Sequence, residues 1–386
     1  MNICIVNTFF PPDGYGGAER SVAVLAKGLV SNGHSVSVIC TASKNFSCID
    51  KDGVQVYGLS KLNIFWIGKD MESKVLRLIW HLFDVINLIA FFRILIKLKK
   101  ISPDVMHTNN LTGFSTSVFL AAKLLKIPIV HTLRDYYLGC ITSNAKNCGK
   151  LGSSFRYPSR ILSQLVDVVV GNSKYILDWH VNKHYFVWSE KKVVFNAYQF
   201  DGPLPLKLKK LDQIIFGYIG TISEDKGVTL LCAQFKEYQN SRNSKLIIAG
   251  RGDKNYIKKL TSEFEGYNIE FVGYSLPDEF YQKIHWNIVP SLWEEPLARV
   301  CFEPKFFSIP VISSCRGGNP EAINDKKDGF IFDPSVKDDL LSKLLNAEAA
   351  DYNMFSQNSY FDRERFTVDK LVNDYEKIYQ SLEWKF

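Results

Sequence analysis

Short runs rich in β-branched and aliphatic residues, each followed by a longer amphipathic stretch, constrain the fold of this chain more than any other feature. In the first half they are Ile3–Asn7, Val36–Ile39, Asp104–Met106, Pro128–His131, Val166–Val170 and Lys192–Phe195. In the second they are Ile214–Ile219, Lys245–Ile248, Ile269–Val272, Trp286–Val289, Pro310–Ile312 and Gly329–Phe332. Apolar runs this short, spaced by helical intervals, read as parallel strands buried on both faces in βαβ units. Six in each half of 386 residues predict an α/β chain of two doubly wound, Rossmann-like domains. The first is expected over 1–200 and the second over 201–365. The stretch GPLPLKLKKLD near 196–212 is proline-bearing, basic and non-periodic, as a linker is. In the closing segment 366–386, Leu371, Tyr375, Ile378, Tyr379 and Leu382 recur at helical spacing. That helix can cap either domain, including by packing back on the N-terminal one.

Composition narrows the function classes. A hydrophobic content of 46% is too high for disorder, and eight scattered cysteines without a CxxC pair exclude zinc ribbons and thioredoxin-like redox motifs. The start MNICIVNTFF lacks the basic n-region and cleavage site of a secretory signal. The most apolar stretch, Leu78–Leu98, is interrupted by His81, Asp84, Arg93 and Lys97, which argues against a transmembrane helix. A cytoplasmic protein is expected. The charge is uneven: residues 1–200 carry 23 Lys and Arg against 12 Asp and Glu, and the remainder 24 against 28. The first half should face something anionic, such as a membrane surface, a phosphorylated acceptor or nucleic acid.

In doubly wound folds ligands bind at the carboxyl ends of the strands, so the loops after strands hold the chemistry. Three stand out. After the first strand, Gly14, Gly16 and Gly17 open a helix, which suits either a phosphate or a tight structural turn. Glu19, Ala18 and Arg20 occupy positions where a dinucleotide fingerprint needs glycine, so a nicotinamide-dependent oxidoreductase is disfavoured. After the first strand of the second half, GYIGTISEDKG places Lys226 beside a glycine turn, where an ammonium can meet a diphosphate or simply sit solvated among acidic neighbours. In EEPLARVCFE, Pro296 suits the first position of a helix capped by Glu295. Glu303 then lies roughly 12 Å further along it. That spacing fits two ends of an extended ligand, whereas a glycosidase carboxylate pair is about 5–9.5 Å apart. Pro304 limits the length of such a helix.

With these segments in view, the chain resembles glycosyltransferase family 4, retaining nucleotide-sugar-dependent enzymes of the GT-B fold. The resemblance runs through FFPPDGYGGAER, VVGNS, VVFNAYQFD, GYIGTISEDKG, IIAGRGD, EFVGY, the E-x7-E pair Glu295 and Glu303, and CRGGNPEAI…DGFIF. It implies two facing Rossmann-like domains with an interdomain crevice, an N-terminal domain for the acceptor and a C-terminal one for the nucleotide sugar. It implies further that Gly16 and Gly17 approach the donor diphosphate and that Lys226 neutralises it as it leaves. Glu303 is implied to hold the donor ribose, Glu295 to lie near the transferred sugar, and Leu297, Ala298 and Arg299 to offer helix N-terminal amides. Gly252 falls in the donor-binding set, and Tyr274 lies where the nucleobase rests. No metal or cofactor is implied.

The chain departs from the family pattern in three places. Thr221 stands where many relatives have a second diphosphate cation. Ala298 replaces a common glycine. Arg134-Asp135 replaces a His-Asp pair; Arg134 cannot serve as a base, but it can bind a phosphate or a carboxylated sugar. His131 and His107 are alternative sources of a polar group or simply core residues. The segment 71–101 resembles the elements by which relatives with lipid-linked acceptors dock on membranes, and reads equally as a core-facing helix pair.

The expectation is a retaining, metal-independent hexosyltransferase moving sugar from a UDP- or GDP-sugar to a glycan or glycolipid in cell-surface polysaccharide biosynthesis. It would work at the inner face of the membrane and bind no nucleic acid. A nucleotide-sugar epimerase on the same fold is the alternative.

Overall fold

The computed structural model describes residues 1–14, 16–68, 73–140, 156–200, 202, 213–239 and 243–383. The chain forms two units, Met1–Gln199 with Phe366–Phe386, and Phe200–Arg365. Most of the linker stretch expected near 196–212 lies outside the described residues.

The first unit is a sheet ordered β3-β4-β2-β1-β5-β6-β7-β8. Its strands are β1 (Asn2–Val6), β2 (Ser35–Thr41), β3 (Phe46–Ile49), β4 (Gln55–Leu59), β5 (Val105–Thr108), β6 (Ile129–Leu133), β7 (Val168–Gly171) and β8 (Glu190–Val193). Its helices are α1 (Gly17–Ser31), α2 (Lys74–Val85), α3 (Leu88–Ile101), α4 (Ser117–Leu124), α5 (Tyr157–Leu162) and α6 (Lys174–Val181). Every pairing is parallel except β3 with β4. The central strands β5, β6 and β7 are buried along their whole length, as parallel strands covered on both faces must be.

Two strands escape the sequence reading. β3 is an exposed antiparallel edge, and β4 shows only a brief alternation, so neither carries the continuous apolar run of a buried strand. They are joined by a turn in which the Asp50 carboxylate accepts hydrogen bonds from the Asp52 and Val54 amides, each 2.9 Å. β8 also lies two residues earlier than the run Lys192–Phe195 suggests. At this largely exposed edge the ladder with β7 sets the register, pairing Glu190 with Val168.

The second unit is an all-parallel sheet ordered β11-β10-β9-β12-β13-β14. Its strands are β9 (Ile214–Ile219), β10 (Ser244–Ala249), β11 (Ile269–Gly273), β12 (Trp286–Val289), β13 (Val311–Ser314) and β14 (Gly329–Phe332). Its helices are α7 (Val228–Tyr238), α8 (Lys254–Glu263), α9 (Pro277–Tyr281), α10 (Asp339–Ala349) and α11 (Tyr352–Asp362). Phe216, Trp286, Phe330 and Phe355 anchor its core.

The closing helix α12 (Val368–Glu383) belongs to the first unit. Leu371, Val372, Tyr375, Ile378, Tyr379 and Leu382 enter one core with Val22, Leu25 and Leu29 of α1. The helices approach closely because Gly28 has no side chain: a Cβ there would lie 2.5 Å from Val372 Cγ2. Polar bonds fix the register. The Tyr379 hydroxyl and His107 Nδ1 share a 2.7 Å hydrogen bond, and the Tyr375 hydroxyl meets Thr132 Oγ1 at 2.7 Å.

Segment 71–101, from its described part onward, is a pair of helices bent by 48° between α2 and α3. No single helix among the described residues is long and apolar enough to cross a membrane. Asn87 makes the break, its side chain accepting from the Ala90 amide at 2.9 Å to cap α3. Trp80, Asp84, Ala90, Ile94 and Leu98 are buried, whereas Leu78, Phe83, Leu88, Ile89, Phe92 and Ile96 are exposed.

Tyr379→Phe leaves the buried His107 nitrogen without its partner and should cost about 1–3 kcal/mol in urea unfolding. An unchanged unfolding midpoint would mean that this bond does not hold α12 in place.

Candidate functional site

Because all the strands but β3 run parallel within their sheets, the loops that follow them gather at one edge of each. In the second unit this edge is built by glycines that let loops touch. Gly227 has φ +75°, and a Cβ there would sit 1.9 Å from the Pro290 carbonyl oxygen. The loop after β9 is thereby pressed onto the loop after β12. Lys226 meets Glu295: its ammonium bonds Oε1, which also accepts from the Ser291 hydroxyl at 2.8 Å. The same ammonium lies 5.0 Å from the centroid of the Trp293 ring. Behind Glu295, Gly317 has φ +62°, where a Cβ would meet the Glu295 carbonyl oxygen at 2.0 Å. The Gly318 amide donates to that carbonyl at 2.8 Å.

The helix expected from Glu295 to Glu303 is absent. Residues 290–298 are extended loop, followed by two single 3₁₀ turns, Arg299–Cys301 and Glu303–Phe307. At the far end of this segment, Pro304 has no amide proton to give to the carbonyl four residues back. That carbonyl, of Val300, instead accepts from Asn287 Nδ2 at 2.9 Å. Leu297, Ala298 and Arg299 therefore offer no α-helical N-terminus, and the Ala298 amide is taken by Asn319 Oδ1 at 2.9 Å. Arg299 contributes its side chain: Nε donates to Glu303 Oε1 at 2.6 Å, and the Tyr281 hydroxyl donates to Oε2 at 3.3 Å. The two glutamates are buried, and each holds a cation of its own. Further round the edge, Gly252 presses on the Ile222 carbonyl, where a Cβ would meet the oxygen at 2.1 Å. The exposed Tyr274 ring carries the Arg251 guanidinium 4.7 Å above its centroid. Thr221 is exposed at the loop's rim.

In the first unit, Gly16 caps α1 and Gly17 begins it. The Glu19 carboxylate curls over this turn, so a Cβ on Gly16 would lie 2.4 Å from its Oε2. Arg134, directly after β6, is nearly buried: Nε donates to Asn109 Oδ1 at 2.8 Å and Nη1 to Asn196 Oδ1. Asp135 accepts the Tyr137 amide at 2.9 Å, and burial pushes its carboxyl up to about 6. The Tyr137 hydroxyl donates to Asp84 of α2, whose carboxyl burial pushes up to about 7.

His107 and His131 are core residues. His107 bonds Thr132 as well as Tyr379, and His131 Nδ1 shares a 2.8 Å bond with Thr108. Burial holds both neutral, His131 down to about 3.

Sequence reasoning singled out Lys226, Glu295 and Glu303 but passed over Ser291, Trp293, Asn319 and Arg251, which the structure brings to the same edge. Arg251 and Asn319 lie within quoted motifs, and Arg251, Ser291 and Trp293 stand one, four and two residues from Gly252 or Glu295 on loops that must turn back on themselves.

Asp84 and Asp135 bind protons more tightly in the folded chain than at their ordinary 3.8. The folded state thus holds more protons than the unfolded one between about pH 4 and 7, and the stability these groups contribute falls as pH rises through that window. Urea midpoints should drop from pH 5 to pH 7.5, and Asp84→Asn should flatten that slope. An equal slope in wild type and variant would show that Asp84 does not titrate there.

Two family models match the chain: Glycosyltransferase Family 4 over residues 15–197 and Glycosyl transferases group 1 over residues 206–360. An uncharacterised 42.6 kDa protein in the cps region of Klebsiella pneumoniae is 32% identical over 98% of this chain and 100% of its own. The lipopolysaccharide 1,2-N-acetylglucosaminetransferase of Salmonella typhimurium is 31% identical over 36% of this chain and 40% of its own. Among solved structures, sucrose-phosphate synthase from Thermosynechococcus elongatus superposes with a TM-score of 0.77 at 16% identity, covering 100% of this chain and 99% of that one. The Anabaena protein HepE in complex with UDP superposes at 0.74 and 14% identity, covering 99% and 100%. These structures share the GT-B fold. Nothing in the comparisons supports the epimerase reading.

Proposed function

The chain belongs to the family 4, group 1 glycosyltransferases, and from that premise we propose that it transfers a hexose from a UDP- or GDP-sugar, with retention of anomeric configuration, to a glycan or lipid-linked glycan. The observation that carries this reading is the pair of buried glutamates on one loop edge, one holding Lys226 and the other holding Arg299. A diphosphate offers Lys226 a partner of higher charge than Glu295, and charge-assisted bonds to phosphate are roughly twice as strong as neutral ones. As the glycosidic bond breaks, the leaving diphosphate gains charge and Lys226 is placed to meet it. Glu295 can then turn to the hydroxyls of the transferred sugar, and Glu303 to the ribose. Tyr274 supplies a flat face for the base, with Arg251 beside it. The reaction proceeds with these cations and without a divalent metal.

The cps-region relative and the lipopolysaccharide transferase support a role in cell-surface polysaccharide synthesis. The place of work in this reading is the inner face of the cell membrane. The α2–α3 pair supports it: Leu82, Phe83, Leu88, Ile89, Phe92 and Ile96 are exposed together with Arg77, Lys99 and Lys100. Asp84, the one carboxylate among the described residues of 73–101, is buried. An apolar face with basic neighbours suits an anionic bilayer, each basic group near the surface adding about 1 kcal/mol.

Thermal unfolding with UDP, GDP and ADP in the presence of EDTA tests the site. The matching nucleotide at about 100 times its dissociation constant should add roughly 2.7 kcal/mol. Lys226→Ala should lower transfer on the order of 10²–10³-fold while the protein stays folded. Stabilisation by no nucleotide would overturn the reading. For the membrane face, the protein should sediment with anionic vesicles and not with zwitterionic ones, and Phe83→Asp with Phe92→Asp should release it. Equal sedimentation of the double variant would remove α2–α3 from that role.

A further inference from the structure

Resting on the membrane reading above, we infer that the first unit meets an anionic lipid surface through a face three helices broad, α3–α4–α5, with Trp188 as an interfacial anchor at its far end.

The topology makes this face. The connections from β4 to β5, β5 to β6 and β6 to β7 each carry the chain toward β8, so right-handed crossovers lay α3, α4 and α5 on one side of the sheet. α4 packs against both of the others. α1, whose crossover runs the other way, lies on the opposite side with α12. Each of the three helices shows solvent a pair of large apolar side chains one turn apart. They are Phe92 and Ile96 on α3, Leu120 and Leu124 on α4, and Tyr157 and Ile161 on α5. Apolar residues exposed singly need no explanation, but a row repeated across neighbouring helices marks an interaction surface.

The row ends at Trp188, which is 82% exposed. Its turn is tied to α5 and α4. The Phe186 amide donates to Ser163 Oγ at 3.1 Å and the Val187 amide to Gln164 Oε1 at 2.8 Å, both on the single turn Ser163–Leu165 that follows α5. That turn in its turn packs on α4. Phe186 goes inward, stacked on His131 at 5.5 Å, whereas Val187 and Trp188 are held outward. An indole fixed at the border of an apolar face suits the headgroup level of a bilayer, where an amphipathic ring finds both its environments.

Charge names the partner. The stretches 88–101, 117–128, 156–166 and 182–189 carry nine Lys and Arg and no Asp or Glu. Lys99, Lys100, Lys126 and Lys183 are exposed at or just beyond the C-terminal ends of α3, α4 and α6, and so line one border of the face. The next carboxylate in sequence, Asp167, is taken by Lys123 at 2.7 Å. An apolar centre with a wholly cationic border matches acyl chains beneath anionic headgroups. α2 continues the face toward the loop edge, where its Asp84 accepts the Gly113 amide from the loop after β5. A bilayer on this face therefore brings the first unit's loop edge to headgroup height, where the glycan of a lipid-linked acceptor stands.

The test uses the full chain with vesicles of phosphatidylglycerol and phosphatidylcholine, against phosphatidylcholine alone, the bound fraction being read by sedimentation. Trp188→Ser should weaken binding to the anionic vesicles about tenfold, the worth of one large apolar side chain partly withdrawn from water. Leu124→Asp with Ile161→Asp should abolish it. All three positions are exposed, so urea midpoints should stay at the wild-type value. Anionic vesicles with brominated acyl chains should quench the tryptophan emission of wild type, and Trp188→Phe should lose most of that quenching. If wild type sediments with anionic vesicles and the Phe83, Phe92 double variant does not, but Trp188→Ser or the Leu124, Ile161 double variant binds like wild type, the inference is overturned and the α2–α3 reading stands. Quenching unchanged in Trp188→Phe overturns it equally. If wild type sediments with no anionic vesicle, both fall.

Discussion

The structure depends on one constraint: strands hydrogen-bonded in parallel must each be followed by a crossover that returns the chain to the starting edge. Right-handed crossovers then lay helices on both faces of each sheet and leave the strand ends as the place where loops can meet. In the second unit all six strands obey this, so segments as distant in sequence as Lys226, Tyr274, Glu295 and Asn319 emerge along one rim. In the first unit the same rule gathers Gly16, Asn109, Arg134 and Asn172. The antiparallel β3 stands outside the rule, and it lies at the far edge, away from the central strands that carry the polar residues.

Along the second unit's rim, electrostatics and sterics divide the labour. Glycines at 227, 252 and 317 set how closely the loops approach, because any side chain at these positions would collide with a backbone oxygen. Once the backbones are pressed together, two half-buried cations and two buried carboxylates are brought within bonding range. Burial makes these pairs consequential. Removing one partner from such a pair leaves a charge in a poorly solvated place, which costs far more than breaking an exposed ion pair. The loop after β12 is thus held by its own functional groups, with Ser291 and Asn319 as further ties.

What could be read in the sequence followed from how continuous its signal was. All six strands of the second sheet and six of the first showed as apolar runs; burial on both faces demands this of the central strands, although the edges β8 and β11 are largely exposed. β3 and β4 did not: β3 is an exposed edge, and β4 inside it alternates between half-buried and buried positions along most of its length. The E-x7-E segment misled because spacing alone cannot tell helix from loop. Pro304 was recognised as a limit on helix length, and Asn287, thirteen residues before Val300, supplies the bond to Val300 that Pro304 cannot give. His107 and His131 illustrate the opposite difficulty. Their residue type left chemistry and core both open, and the burial supplied by α12 and by Phe119 and Phe186 shows them to be core. Arg134 was conspicuous by its departure from a pattern, but the amides that aim it come from positions 25 residues before and 62 residues after it, and no local pattern could reveal them.

In the α2–α3 segment one helix serves two environments. The outward side of α2 presents Leu78, Leu82 and Phe83, and its inward side presents Trp80 and Asp84. A fully buried carboxylate is costly to keep on a helix. Here it accepts the Gly113 amide at 3.0 Å from the loop after β5, and the Tyr137 hydroxyl from the loop after β6. These loops also carry Asn109 on one side and Arg134 with Asp135 on the other. Leucine at position 84 would suit the surrounding apolar surface, but it would release both loops and leave a buried amide and a buried phenol unbonded. The position of α2 on the surface and the shape of the loop edge are consequently a single structural variable, set by one carboxylate.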